Sequence, residues 1–216
     1  MIISNWLSDN YIEIFGAITG IIYVFLEIRQ TVWLWPVGIV TSAVYIWIFF
    51  TGKLYADMSL QVYYLIISCL GWYWWTMGIG HRAQSSELRA QGTRYNEETA
   101  GGKEGELQVT RIILKTGLVL TVVFFILFIV MWFILKRLTD SPVPEWDSFI
   151  TSLSIVATWM LARKIYEHWL LWIVVNSVAA LLFLSRGLYP TVILYVVYGI
   201  MSFVGLTAWK KTIKMG

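Results

Sequence analysis

Residues 29–75 read RQTVWLWPVGIVTSAVYIWIFFTGKLYADMSLQVYYLIISCLGWYWW, and residues 163–209 read RKIYEHWLLWIVVNSVAALLFLSRGLYPTVILYVVYGIMSFVGLTAW. The two stretches align without a gap at an offset of 134 positions, with 15 identities in 47 pairs. Arg29 meets Arg163, Trp35 meets Trp169, Phe49 meets Phe183, and Leu54-Tyr55 meets Leu188-Tyr189. Tyr64 meets Tyr198, Ser68 meets Ser202, Gly71 meets Gly205 and Trp75 meets Trp209. Apolar bias alone does not place Trp, Tyr, Gly and Arg in register. A repeated unit made of long apolar runs is the usual construction of a membrane carrier, with its site where the repeats meet.

The rest of the chain agrees with that reading. Its 216 residues are 58% hydrophobic and 13% charged, with a mean hydropathy of +0.69. A soluble domain carries about 25% charged residues, so this composition cannot cover a water-facing surface. One cysteine, Cys69, excludes an internal disulfide framework and is expected as a packed thiol. The net charge of +3 is small and sits in loops, which gives nucleic-acid binding no support. No basic residue precedes the first apolar run, so a cleavable signal peptide is not expected and the first span should persist.

Seven spans are predicted: Tyr11–Ile28, Trp33–Phe50, Met58–Met77, Ile112–Leu135, Trp146–Ala162, Trp169–Leu184 and Leu188–Trp209. They divide the chain into a first three-helix repeat (11–77), a polar loop (78–111) expected to be a flexible cytoplasmic linker, a linker helix (112–135), and a second three-helix repeat (146–211). Three crossings reverse the side of the chain. The single extra helix, Leu118–Leu135, nearly all Leu, Val, Ile and Phe, therefore makes the two copies parallel in a 3+1+3 arrangement. The fold class expected is an all-α membrane protein. Of 16 basic residues, 4 (Lys53, Lys136, Arg137, Arg186) fall on the N-terminal side and 12 on the other. By the positive-inside rule the N-terminus is outside and the C-terminus cytoplasmic.

Intramembrane polar groups are costly and point to function. In the third span Asp57, Gln61, Tyr64, Ser68, Trp72 and Trp75 share one helical face. The corresponding face of the seventh span is Thr191, Tyr195, Tyr198, Ser202, Leu206 and Trp209. In the sixth, Trp172 and Asn176 lie one turn apart, and the repeat mate of Asn176 is Ser42. These faces are expected to line a cavity between the copies. Substrate contacts are assigned to Gln61, Asn176, Trp72, Tyr64, Trp172, Tyr198, Tyr195 and Ser42. Mid-span amides also serve as bonds between helices. The asymmetric pairs Gln61/Tyr195 and Ser42/Asn176 on a symmetric scaffold favour an asymmetric solute. Tryptophans near span ends (Trp6, Trp33, Trp35, Trp146, Trp169, Trp209) are expected in the interfacial belts. Gly16 and Gly20 are expected to let helices approach closely.

Other classes lack their residues. Glu13, Glu27, Asp57, Asp147 and Glu167 all lie near span ends, away from mid-membrane where a proton relay is usually placed. No phosphate-loop motif, no His or Cys pair with metal spacing and no Ser–His–Asp set is present. Neither catalysis nor a metal or cofactor is expected. A non-transporting scaffold would not need a polar aromatic stripe in both copies. Passive, facilitated transport remains.

The runs WLWPVGIVTSAVY (33–45), KLYADMSLQVYYLIISCLGWYWW (53–75) and HWLLWIVVNSVAALLFLSRGLYPTVILYVVY (168–198) resemble the PnuC family of bacterial vitamin transporters. The resemblance covers about residues 12–211 outside the 78–111 loop. It implies a relative of the SWEET facilitators in the bacterial inner membrane, uptake of nicotinamide riboside, and a homotrimer. Close relatives imply thiamine-like vitamins or nucleosides as alternatives, and a sugar is a further one. A pyridinium ring suits the aromatic load through cation–π attraction of about 0.5–2 kcal/mol per face. Gln61 and Asn176 offer donors and acceptors for ribose hydroxyls or a carboxamide.

Overall fold

The computed structural model describes residues 11–51, 55–77, 107–138 and 142–215. Among them are seven α-helices: α1 (Tyr11–Ile28), α2 (Leu34–Thr51), α3 (Tyr55–Met77), α4 (Leu114–Leu138), α5 (Pro144–Ala162), α6 (His168–Ser185) and α7 (Tyr189–Met215). In lipid every backbone polar group must be satisfied within its own segment, which forces long apolar runs into helices. Each helix therefore begins within three residues of the predicted span. The largest difference is at α7, which continues past Trp209 through Lys210 and Lys211, because a helix does not stop where its apolar part does. By length and composition Leu34–Thr51, Leu114–Arg137, His168–Ser185 and Tyr189–Ile213 are apolar enough to cross a membrane. Trp6 and residues 78–106 of the predicted linker lie outside the described residues.

The chain divides into two compact units, Met1–Tyr73 and Trp74–Gly216. Inside the first, α1 packs on α2. The turn joining them is a Schellman motif: Gln30 N–H donates to Glu27 O (3.0 Å) and Thr31 N–H to Leu26 O (3.1 Å), with Gln30 at φ +53°. Inside the second unit the turn from α5 to α6 has the same bonds at the mate positions. Lys164 N–H donates to Leu161 O (2.9 Å) and Ile165 N–H to Met160 O (2.9 Å), with Lys164 at φ +49°. Left-handed backbone costs a non-glycine residue roughly 1–2 kcal/mol. Both copies accept that cost at the same place, so the sequence repeat is a repeat of backbone geometry too.

A second shared device is a notch. In the first unit the indole of Trp35 lies against the backbone of Gly71, and a Cβ there would overlap the ring. In the second unit Trp169 lies against Gly205 in the same way. Trp35 and Trp169 are therefore buried, Trp209 is buried against Trp169, and at 0–1% exposed none of the three is an interfacial belt residue. Trp33 and Trp146, at 72% and 53% exposed, keep the exposure that a belt position needs. Cys69 is also a correction: it is exposed, beside Ile66, Leu70 and Tyr73 on the outer face of α3. Gly16 behaves as expected, facing the Tyr45 hydroxyl so closely that a Cβ would collide.

In the second unit α4 packs on α5, α5 on α6 and α6 on α7. Val156, Met160 and Ile165 form a core against Ile112, Leu120, Phe124, Leu127, Trp159 and Leu171. The five residues before Ile112 are held as well: Leu107 is buried, and Thr110 bridges Ile165 through Thr110 N–H to Lys164 O (3.0 Å) and Tyr166 N–H to Thr110 O (2.9 Å). The Glu167 carboxylate accepts from Ile112 N–H at 2.8 Å.

The notch yields a prediction. Gly205→Ala drives a methyl into the Trp169 ring, and overpacking typically costs about 1–3 kcal/mol. Gly117→Ala would meet only Ile112 atoms, the nearest at 3.6 Å, which is ordinary contact. In detergent, Gly205→Ala should lower the melting temperature clearly and Gly117→Ala little. Equal melting temperatures would remove the notch as a structural determinant.

Candidate functional site

In the second unit, α6 and α7 present one continuous polar and aromatic face. Asn176 is buried on α6, and its Nδ2–H donates to Ser202 Oγ of α7 at 3.2 Å. Ser202 in turn donates its hydroxyl to Tyr198 O at 2.8 Å. Toward the far end of the same helices Phe183 stacks on Tyr195 (5.3 Å, 18°), and Tyr195 meets Tyr198 edge-on (6.1 Å, 88°). Trp172 lies one turn before Asn176. Its Nε1–H is buried and has no hydrogen-bond partner among the described residues. Four of the predicted site residues, Trp172, Asn176, Tyr195 and Tyr198, thus belong to one helix pair.

In the first unit the mate positions are filled differently. Ser42 and Ser68 are buried where Asn176 and Ser202 stand in the other copy. Gly38 takes the place of Trp172, and a Cβ on it would meet Ser68 Oγ at 2.8 Å and the Tyr23 ring at 3.1 Å. Tyr23 in turn is the mate of Ala157. The bulk has moved from the second helix of one copy to the first helix of the other. Tyr45 stacks on Phe49 (5.6 Å, 29°) and Tyr63 tilts against Tyr64 (5.5 Å, 59°). Gln61 and Tyr64 are half-buried, and Trp72 is 42% exposed.

Trp75 and Trp209, the last members of the two predicted faces, belong to a separate cluster within the second unit. Trp75 Nε1–H donates to Ala162 O (3.2 Å), and the Lys164 ammonium sits 4.3 Å above its ring. Trp209 packs against Trp169 (5.9 Å, 80°) and His168 (4.7 Å, 65°), while His168 Nδ1 lies 2.6 Å from Ile165 O. A carbonyl only accepts, so Nδ1 carries the proton. This cluster closes the α5–α6 turn.

The sequence reading passed over the hydroxyls of α5, which lie as two pairs on opposite sides of the helix, Ser148 with Ser152 and Ser154 with Thr158. Ser148, Ser154 and Thr158 are buried and donate to backbone carbonyls four residues back, at 2.5–2.8 Å. Ser152 is fully buried, and its hydroxyl has no partner among the described residues. The signal was present as the four-residue spacing of Ser148 and Ser152, but their mates in α1, Ile14 and Ile18, are apolar. A search guided by the repeat does not find them. Among the described residues no group of three or more His, Cys, Asp or Glu side chains is placed to hold a metal ion.

A family model described as nicotinamide mononucleotide transporter matches residues 10–211. The chain belongs to this family. It is 26% identical over 209 residues to the nicotinamide riboside transporter PnuC of Escherichia coli, covering 93% of this chain and 85% of that protein. It is 26% identical over 215 residues to the riboflavin/roseoflavin transporter RibM of Streptomyces davaonensis, covering 95% and 92%. The PnuC of Neisseria mucosa matches at 26% over 95% of this chain and 74% of that protein. A crystal structure of the vitamin B3 transporter PnuC superposes with a TM-score of 0.68 at 21% identity, covering 99% of this chain and 86% of that one. The chain therefore has the all-helical PnuC fold, and its family is one of transporters.

Proposed function

We propose that this protein is a seven-span facilitator of the bacterial inner membrane that carries nicotinamide riboside into the cell by alternating access. The observation that carries the reading is the near full-length likeness to PnuC transporters, which are nicotinamide riboside transporters. The architecture is a SWEET-like 3+1+3 pair of parallel repeats, assembled as a homotrimer, with the N-terminus outside and the C-terminus cytoplasmic. Substrate is held by one face from each repeat: Ser42, Gln61, Tyr64 and Trp72 from the first, and Trp172, Asn176, Tyr195 and Tyr198 from the second.

The chemistry of those faces favours the riboside over the mononucleotide of the family's name. None of the eight residues is cationic, so nothing on them neutralises a phosphate, whereas aromatic rings attract a pyridinium. A product phosphorylated inside the cell would not leave by the same path, which gives uptake its direction without an ion gradient. Glu27, Asp147 and Glu167 stand at helix ends, in keeping with an uncoupled carrier. RibM supports a second reading, riboflavin, at the same 26% identity. A neutral flavin gains no cation–π attraction, which places it second.

Purified protein in liposomes should equilibrate labelled nicotinamide riboside down its gradient, faster than it moves riboflavin or thiamine. Accumulation driven by an imposed proton or sodium gradient would refute uncoupled transport, and faster flux of riboflavin would transfer the assignment to the flavin.

Removing one partner of a buried hydrogen bond costs about 1–3 kcal/mol, or roughly 5- to 150-fold in affinity. Gln61→Ala and Asn176→Ala should each weaken riboside binding by that order, measured by calorimetry, while the protein stays folded. Wild-type affinity in both variants would reduce these amides to bonds between helices.

A reporter fused after Gly216 should behave as cytoplasmic. Alkaline phosphatase activity at that position would reverse the orientation.

A further inference from the structure

The bond between Asn176 and Ser202 has a direction. The Ser202 hydroxyl proton is committed to Tyr198 O at 2.8 Å, so Ser202 Oγ is left only with accepting capacity toward Asn176. A side-chain amide has one donating group, its NH2, so the atom at 3.2 Å is Nδ2. The choice between the two orientations of an amide is set by its network, and with the Ser202 proton on Tyr198 O the network selects this one. The carbonyl Oδ1 is the branch turned away from Ser202.

One turn earlier on α6, the Trp172 indole N–H is buried and donates to nothing among the described residues. The face thus carries an acceptor at Asn176 and an idle donor at Trp172. A primary carboxamide has the complementary pair, a carbonyl that accepts and an N–H that donates. A carboxylate has acceptors only, and would set lone pairs against Oδ1. The mate positions in the first unit, Ser42 and Ser68, are both hydroxyls, so that copy has no amide carbonyl to orient.

We propose that Ser202 is a positioning residue that fixes the Asn176 amide with its oxygen toward the ligand, and so sets a preference for carboxamide over carboxylate ligands. This rests on the reading that the α6 face binds substrate. Ser202 itself touches no ligand.

The test is the ratio of two affinities, measured by calorimetry on the purified full-length protein with nicotinamide riboside and with nicotinic acid riboside, its carboxylate counterpart. In Ser202→Ala the amide turns freely and offers its NH2 to a carboxylate, so the ratio should fall by about tenfold. Ser202→Cys, close in size but a weak acceptor, should do the same and stands in if the Ala variant does not fold. Ser202→Thr keeps the hydroxyl and should keep the ratio. A ratio unchanged in the Ala and Cys variants overturns the proposal, even if both affinities drop, because a packing role weakens both ligands alike. Asn176→Ala separates the two ideas. If it binds both ligands as wild type does, the α6 face is not the site. If it loses binding while Ser202→Ala keeps the ratio, only the positioning role fails.

Discussion

The close approach of an indole to a glycine backbone joins the second and third helices of each repeat. Lipid tails give apolar helices no hydrophobic reason to associate, so packing must do it, and small residues allow the closest packing. Trp35 on Gly71 and Trp169 on Gly205 are that packing in the two copies. The polar pairs follow from it. Ser202 lies one turn before Gly205, and Asn176 lies two turns after Trp169. With α6 and α7 held tightly at the notch, a short amide reaches a short hydroxyl at 3.2 Å. A bond of this kind averages about 0.6 kcal/mol in a membrane. It is too weak to hold two helices by itself. Packing makes the bond, and the bond then orients the amide.

On this shared frame the two copies diverge where chemistry is proposed. The turns before α2 and α6 keep the same hydrogen bonds, yet carry Gln30 in one and Lys164 in the other. The first position of the following helix is Leu34 in one and His168 in the other, both fully buried. Gly38 with Tyr23 becomes Trp172 with Ala157, exchanging bulk between helices at the same level. Backbone devices are repeated because both copies must solve the same packing problem. Side chains on the proposed binding faces are not, which suits a substrate with a ring at one end and a sugar at the other.

This division explains what was legible in the sequence. Helix positions were readable because lipid leaves an apolar run no alternative to a helix, and Tyr11–Ile28 appears with the bounds expected. The repeat was readable because Trp, Gly and Ser at the notch are identical in both copies. The environment of each tryptophan was not. Trp33 and Trp35 stand two residues apart at one helix start, yet one is 72% exposed and the other buried, because only Trp35 faces the α3 glycine. Hydropathy assigns them the same value. Cys69 was misread for a similar reason: an apolar run does not say which side of its helix meets a neighbour. The pinning of residues 107–111 depends on a bridge to Ile165, more than fifty positions away, which no local pattern announces.

The neutrality of the proposed binding faces has a consequence for the transport cycle. A facilitator must return empty, with the groups that held its substrate left without partners. An unsatisfied buried neutral group costs about 1–3 kcal/mol, whereas a charge in the bilayer centre costs more. On the proposed face of α6 the Asn176 amide nitrogen is bonded to Ser202, so the groups left for a substrate are the Asn176 carbonyl and the Trp172 N–H, both neutral. The penalty of emptiness on this face is thus borne by neutral groups alone. A cationic residue able to bind a phosphate would raise it and slow the return. On the proposed reading, the same neutral lining would keep the empty carrier accessible and would not hold a phosphorylated product, which gives direction and turnover one physical origin.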